Sequence, residues 1–326
     1  MKTIKKLIFG SFLIYILLFN AYANANHLTD KQIRINYLTA KEEFVLGEPV
    51  KLNLKFVNKT KEPYHVYIDK FNLPSIKFKA NVNGKNVPLL MPKERLGIVP
   101  GNTIISNTII SLYLNNYFEV NNTGIYNITA IANIEFDQEN EKFLLVSTNK
   151  FGFKLRNATT NELDNILQKY TTKIESHNSH KLKESFDAAE ALLSLNSSNV
   201  IKHLERGLYH THGFVKSRCA YGLVKINNNA ADQVLLKALS DKNCKCKMAI
   251  MGMLSYKRKN IKIPDSVMMN FITNSSVHTK MSVISYLYNI KNTNSVQFLH
   301  LLSKDSDINV CQEAELALKQ FSHTEH

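Results

Sequence analysis

The sequence predicts a β-then-α chain: an antiparallel β-sandwich followed by an α-solenoid of helix pairs. Two observations carry this. Through residues 30–156, apolar and polar residues alternate in short runs with turn signals between them, as in strands that keep one face on a core. Beyond that, a leucine recurs at Leu192, Leu223, Leu254, Leu287 and Leu318, in steps of 31, 31, 33 and 31 residues. A period of that size marks a repeat protein whose units bury their apolar faces against one another.

The chain begins with Lys2, Lys5 and Lys6, an apolar run from Leu7 to Phe19, and then Ala21-Tyr22-Ala23 and Ala23-Asn24-Ala25. That layout is a secretory signal with two Ala-x-Ala cleavage sites, so residues 1–25 read as a signal peptide. The run is shorter than the roughly 20 residues a membrane span requires. An uncleaved anchor is the alternative. No later stretch is apolar enough to span, so no integral membrane segment is expected after cleavage. The expected location is periplasmic or secreted, in a bacterium. The formal net charge is +14, and a basic excess remains once the three leader lysines are removed. It favours acidic partners or anionic surfaces. Abundant Asn, Lys and Ile point to an AT-rich genome as the source of part of it. Export argues against a nucleic-acid role.

In the first part, Val50, Leu52, Leu54 and Phe56 alternate with Lys51, Asn53 and Lys55, and Tyr126, Ile128, Ala130, Ala132, Ile134 and Phe136 form a second row. Further strands are expected near Gln32–Leu38, Tyr64–Ile68, Ile76–Val82, Ile104–Leu114 and Lys142–Leu155. Asn83-Gly84 suits a tight hairpin turn, because both residues tolerate positive φ. Seven or so short strands argue for a sandwich, and Tyr126, after Gly124-Ile125, is placed to form a tyrosine corner.

The order Phe44-Val45-Leu46-Gly47-Glu48-Pro49-Val50, Gly84-Lys85-Asn86-Val87-Pro88, Val99-Pro100-Gly101-Asn102, Tyr117-Phe118-Glu119-Val120 and Thr123-Gly124-Ile125-Tyr126 resembles the immunoglobulin-like accessory modules of bacterial secreted proteins. The non-catalytic module beside deuterolysin-type zinc endopeptidases is similar. The resemblance implies an immunoglobulin-like domain over residues 28–157 and no zinc chemistry, since His-Glu-x-x-His is absent.

The second part, residues 160–326, opens with a helix carrying Leu163, Ile166, Leu167, Tyr170 and Ile174 on one stripe, with Thr160 or Asn161 as its cap. Ala188, Ala191, Leu192 and Leu195 begin the repeats. Matching sets are Val215, Lys216, Cys219, Gly222 and Leu223; Cys246, Lys247, Ile250, Met253 and Leu254; Lys280, Val283, Tyr286 and Leu287; and Val310, Ala314, Ala317, Leu318 and Phe321. Offsets of four, seven and eight share a helix face, and small residues there let helices approach closely. A second stripe follows in each unit, such as Ala231, Leu235 and Leu239. The pattern resembles HEAT repeats of the short PBS-lyase type, Val-Arg-x-x-Ala-x-x-Ala-Leu, and so implies an armadillo-type fold. Lys216, Lys247 and Lys280 match the family's basic position, and Asp241 and Asp305 its preceding acidic residue. Cys311 departs from it, and Lys257 stands where an apolar residue is expected, so the third unit is expected either to pack less tightly or to have a longer internal turn.

Three groups of side chains are candidate sites. Lys242, Lys245, Lys257, Arg258, Lys259 and Lys262 concentrate charge in repeats two and three and are the candidate partner-binding residues. Their alternative reading is a solvated face. His203, His210 and His212 are candidate metal ligands, although no carboxylate or Cys accompanies them at ligand spacing. Among the cysteines, Cys219 and Cys246 fall at core positions, and Cys244 and Cys311 are expected to be more exposed. No nucleophile elbow or phosphate loop occurs, so no catalytic residue and no cofactor are expected. The expectation is a non-catalytic scaffold that binds a protein partner through the solenoid surface. The alternative is an envelope-associated protein that binds anionic lipid or glycan through the basic stripe.

Overall fold

A computed structural model describes residues 33–38, 41–59, 64–66, 76–90, 102–104, 107–137, 142–176, 181–257, 261–291 and 294–322. The leader, Arg258 and Lys259 lie outside them. Within the described residues the chain is β-rich to Arg156 and helical from Thr160 onward.

The β-rich region has two sheets. In one, β3 (Lys51–Asn58) lies between β1 (Ile33–Tyr37) and β8 (Asn107–Tyr113), antiparallel to both. The other is built on the long β9 (Gly124–Asp137). Along one edge of β9 run β11 (Phe151–Arg156) and β10 (Lys142–Ser147), and it also pairs with β5 (Ile76–Val82) and β4 (Tyr64–Val66). β7 (Asn102–Ile104) extends from β4, and β6 (Lys85–Asn86) folds back on β5. β2 (Glu43–Val45) adds a parallel pairing on β11, a departure from the all-antiparallel expectation.

Alternation dictates the core. Leu52, Leu54 and Phe56 are fully buried, and Lys51, Asn53 and Lys55 between them are half-exposed. Phe78, Tyr126, Ile128 and Phe153 supply the facing sheet's contribution to the same core. Tyr126 stacks on Phe153 with ring centroids 5.0 Å apart, and its hydroxyl donates back to the Asn122 carbonyl at 2.9 Å. That is the bond of a tyrosine corner. The Asn83-Gly84 turn has φ of 49° and 82°, as a two-residue hairpin of this kind requires. The single strand expected over Lys142–Leu155 is interrupted. Ser147 faces Ile131 and Phe151 faces Ile128, so one extra residue is inserted opposite β9. At the break, the Thr148 hydroxyl donates to the Tyr37 hydroxyl at 2.7 Å.

Ten α-helices follow among the described residues: α1 (Thr160–Ile174), α2 (Leu182–Ser194), α3 (Ile201–Leu208), α4 (Gly213–Ile226), α5 (Asn229–Ser240), α6 (Lys247–Tyr256), α7 (Asp265–Asn274), α8 (Val277–Ile290), α9 (Ser295–Leu302) and α10 (Ile308–Ser322). Thr159, not Thr160 or Asn161, caps α1: its hydroxyl accepts the Glu162 N–H at 3.2 Å. Alternate helices touch in series, α2 on α4, α4 on α6, α6 on α8 and α8 on α10. On the other side α1 meets α3, α3 meets α5, and α7 meets α9. One apolar cluster runs through them all. Leu192, Leu223, Leu254 and Leu287 are at most 1% exposed. Leu318, on the last described helix, is half-buried.

Small residues set the closest approaches. A Cβ added at Gly207 in α3 would sit 2.1 Å from the Cys219 Sγ of α4, and one at Gly222 would sit 2.8 Å from the Leu204 Cδ1 of α3. The connection between α6 and α7, residues 257–264, is the longest within any helix pair, as Lys257 at an apolar position led one to expect.

The two regions are fastened at several points. Arg156, the last residue of β11, bonds Glu43 of β2 at 2.8 Å and Glu162 of α1 at 2.5 Å. Lys51 pairs with Asp187 of α2 at 2.6 Å, and the Tyr113 hydroxyl donates to the Asp187 carbonyl at 3.2 Å. Burial, and next the Asp187 charge, push the Tyr113 phenol well above its ordinary range.

Candidate functional site

The three histidines are each engaged locally. His203, on α3, is buried, and its Nδ1 lies 2.7 Å from the Thr171 hydroxyl of α1. Burial first, and the neighbouring Lys202 next, hold its pKa below the ordinary histidine value, while Asp164 opposes them. The His210 Nδ1 accepts the His212 N–H at 2.9 Å, and the His212 Nδ1 accepts the Phe214 N–H at 3.3 Å, which caps α4. Among the described residues, no cluster of three or more His, Cys, Asp or Glu is placed to hold a metal ion.

The expected lysine cluster is divided. Lys242 and Lys245 precede α6, whereas Lys257 and Lys262 follow it. The ten residues of α6 rise about 15 Å, so the two groups stand at opposite ends of a helix. Lys242, Lys245 and Lys262 are exposed, and the Lys257 ammonium lies 5.2 Å from the ring centres of both Tyr221 and Tyr256.

Three lysines at matching places in the sequence repeats, Lys216, Lys247 and Lys280, are drawn toward neighbouring elements. The Lys216 ammonium donates to the Lys245 carbonyl at 3.3 Å, and burial lowers its pKa. Lys247 lies 5.8 Å from the Phe271 ring. Lys280 pairs with Asp305 at 2.5 Å, with side chains only 13% and 8% exposed. Lys216 and Lys280 thus reach from one helix pair to the turn that leads into the next.

Cys244 is not exposed: it is buried and bonded to Cys246 as a disulfide across Lys245. Cys219 is a buried free thiol that burial pushes up to about 12. Cys311 is half-buried, and its thiol donates to the Ser303 carbonyl at 3.0 Å.

Two further features had no signal in the single-residue patterns. A cavity of about 490 Å³ opens between the 261–264 segment and helices α7, α8 and α9, with Met268, Tyr286 and Phe298 in its wall and Lys262 and Asp265 as its charged members. The Tyr286 hydroxyl donates to the Ile261 carbonyl at 3.0 Å and ties that segment to α8; burial pushes this phenol up to about 12.

The second feature is a row along the carboxy ends of α4, α6 and α8. Each carries a tyrosine within its last two turns and a lysine in or just past its last turn: Tyr221 and Lys225, Tyr256 and Lys257, Tyr288 and Lys291. These ends lie side by side. Lys225 donates to the Leu193 carbonyl of α2 at 3.4 Å, Asn289 donates to the Ser255 hydroxyl of α6 at 2.9 Å, and Lys291 lies 5.6 Å from the Phe321 ring of α10. The helices opposite carry ion pairs between their own members: Lys202 of α3 with Asp164 of α1 at 2.5 Å, and Lys237 of α5 with Glu205 of α3 at 2.8 Å.

No family model matches this chain, and no curated protein matches it. Among solved structures, a crystal structure of a Salmonella alpha-2-macroglobulin mutant aligns with 89% of this chain at 10% identity and a TM-score of 0.25, and the aligned part is 22% of that chain. The native Escherichia coli alpha-2-macroglobulin aligns with 90% of this chain at 10% identity and a TM-score of 0.24, again over 22% of its own length. The chain therefore spans less than a quarter of either protein. At such TM-scores these likenesses carry no argument about fold or activity.

Proposed function

We propose that the chain is a non-catalytic, exported scaffold: an immunoglobulin-like β-sandwich joined to five HEAT-like units, of which the first four are helix pairs and the fifth is represented by α10 among the described residues, and which present a lateral surface to a protein partner. The observation that carries this reading is the serial contact of α2, α4, α6, α8 and α10, with the repeat leucines beneath. Stacked units of this kind generate extended surfaces that no single helix offers. The tyrosine corner and the two sheets support the sandwich. The leader layout supports a periplasmic or secreted location in a bacterium. The division of the lysine cluster by α6 favours a protein partner over one continuous anionic-lipid or glycan patch.

The test is photo-cross-linking in the host. A photoreactive residue is placed at Met248 on the α6 face and, separately, at Lys237 on the α5 face, and envelope and cytoplasmic fractions are compared. The reading expects one discrete protein adduct from at least one face, in the envelope or secreted fraction. Cytoplasmic recovery, no adduct from either face, or substrate turnover abolished by one polar substitution would overturn it.

A further inference from the structure

We infer that the cavity of about 490 Å³ beside residues 261–264 binds a small zwitterion with apolar side chains, of the size and chemistry of a dipeptide. The inference does not depend on what the solenoid surface holds. Its first support is how the cavity arises. The second layer of helices packs in series from α1 through α3 to α5, and again from α7 to α9, but no comparable contact joins α5 to α7 among the described residues. The connection that enters α7 at this break is the longest within any helix pair, and its 261–264 segment forms one wall of the cavity. The Tyr286 hydroxyl holds that wall through the Ile261 carbonyl. The space left open is within the usual range of small-molecule sites, about 300–1,000 Å³.

The second support is the division of the lining. Ile261, Met268, Leu287 and Phe298 are buried and give it apolar walls. Lys262, Asp265 and Asn294 are the exposed polar members. Among the described residues, none of these three side chains has a hydrogen bond or an ion pair, and Lys262 and Asp265 do not pair with each other. Asn294 stands at the N-cap of α9, where its side chain could accept a backbone N–H, and makes no such bond.

The third support is that these groups select the occupant. A simple anion drawn by Lys262 is repelled by Asp265, and a simple cation meets the reverse. A zwitterion meets two attractions. The Asn294 amide offers both a donor and an acceptor, as a peptide group between the two termini requires. The apolar walls then take the side chains, which a glycan or a phosphate lacks.

The experiment uses the full mature chain, isothermal titration calorimetry and NMR of its labelled methionine methyls. The probe is phenylalanyl-leucine. Its N-acetyl form lacks the ammonium, its amide lacks the carboxylate, and the doubly blocked form lacks both. The Met268 signal, assigned with Met268→Leu, reports on the cavity itself. At the efficiency usual for a ligand of about 20 non-hydrogen atoms, the expected Kd is on the order of 10–100 µM. Each single block should weaken binding about three- to fivefold. Lys262→Gln should abolish the penalty of the amide, and Asp265→Asn that of the N-acetyl form, while Lys242→Gln, outside the lining, changes neither. The blocked peptides probe the same contacts without any substitution, should a variant prove unstable. No saturable binding, saturation without a shift of the Met268 signal, equal binding of the doubly blocked peptide (as an internal segment of a protein partner would give), or a penalty that survives the matching substitution would each overturn the inference. The scaffold reading fails separately, on the cross-linking result.

Discussion

Gly207 and Cys219 offer a direct measure of how closely α3 and α4 interlock. Replacing Gly207 by Ala puts a methyl 2.1 Å from Cys219 Sγ and 3.1 Å from its Cβ, so α4 must shift or the side chains must strain. Overpacking a filled core costs about 1–3 kcal/mol, against a helix-propensity gain of at most about 1 kcal/mol for removing the glycine. Gly207→Ala should therefore lose about 0–2 kcal/mol. Cys219→Ala alone removes one fully buried heavy atom and should cost about 1 kcal/mol. The double substitution exchanges the sulfur for the new methyl in nearly the same space. What remains is the 3.1 Å approach to the Cβ of residue 219, which alanine keeps, and the 3.3 Å approach to Ile174 Cγ2; each needs only a few tenths of an ångström of adjustment. Its stability should fall within about 0.5 kcal/mol of the original chain, a coupling of about 1–3 kcal/mol in the stabilising direction. Urea denaturation monitored at 222 nm reads all four corners of the cycle. Simple additivity of the two losses would show that the helices do not meet at this pair.

Other substitutions probe the helical region at different points. Burial lowers the pKa of His203, so the folded chain disfavours its protonation; its stabilising contribution is complete above the unfolded value of about 6.5 and declines as pH falls below it. Between about pH 7 and 5 the melting temperature should fall more steeply in the original chain than in His203→Gln, and parallel curves would rule the linkage out. Tyr286→Phe removes the hydroxyl that donates to the buried Ile261 carbonyl and should cost about 1–2 kcal/mol in urea titration; no measurable loss would mean that the 261–264 segment is held by other contacts. Burial opposes ionisation of Asp305, but the Lys280 ammonium and the Asp307 N–H together hold its carboxyl below the usual range. Asp305→Asn strands the Lys280 charge and should cost about 3 kcal/mol, part of which Lys280→Met should restore in the double variant; no restoration would mean that the pair itself is not the source.

The order of elements was legible because burial leaves a periodic trace. A strand with one face on a core must alternate, and the β3 and β9 rows could be read directly. The repeat leucines were legible because each helix pair presents the same position to the next pair. What escaped depended on geometry between segments far apart in sequence. β2 is only three residues long, and a pattern needs more than that; it exists because β11 offers it an open edge. The break between β10 and β11 follows from an extra residue accommodated beside β9, which no local pattern records. Cys244 was expected to be exposed because it falls off the helical stripe, yet it is buried and bonded to Cys246 beside the start of α6, a pairing that no helix periodicity records.

The candidate surface was illegible for a different reason. The residues that bury a helix must recur at fixed offsets from the repeat leucine, because a methyl displaced by one position points to another side of the helix. A cation that rests on a neighbouring ring is not held to that rule, since a lysine stem spans several ångströms and can arrive from any of several positions. Lys225 lies two residues past its leucine, Lys257 three and Lys291 four, while Tyr221 precedes its leucine and Tyr256 and Tyr288 follow theirs. Aligning the repeats on the leucine scatters these residues, so the count of lysines in repeats two and three drew attention to Lys242, Lys245 and the 257–262 stretch, and only Lys257 of the row was among them. Only the side-by-side carboxy ends of α4, α6 and α8 gather them into a row. Selection for a core acts on the register of the sequence, whereas selection for a surface acts on where side-chain tips finish. In a stacked helical array these two demands separate most clearly at the ends of the helices.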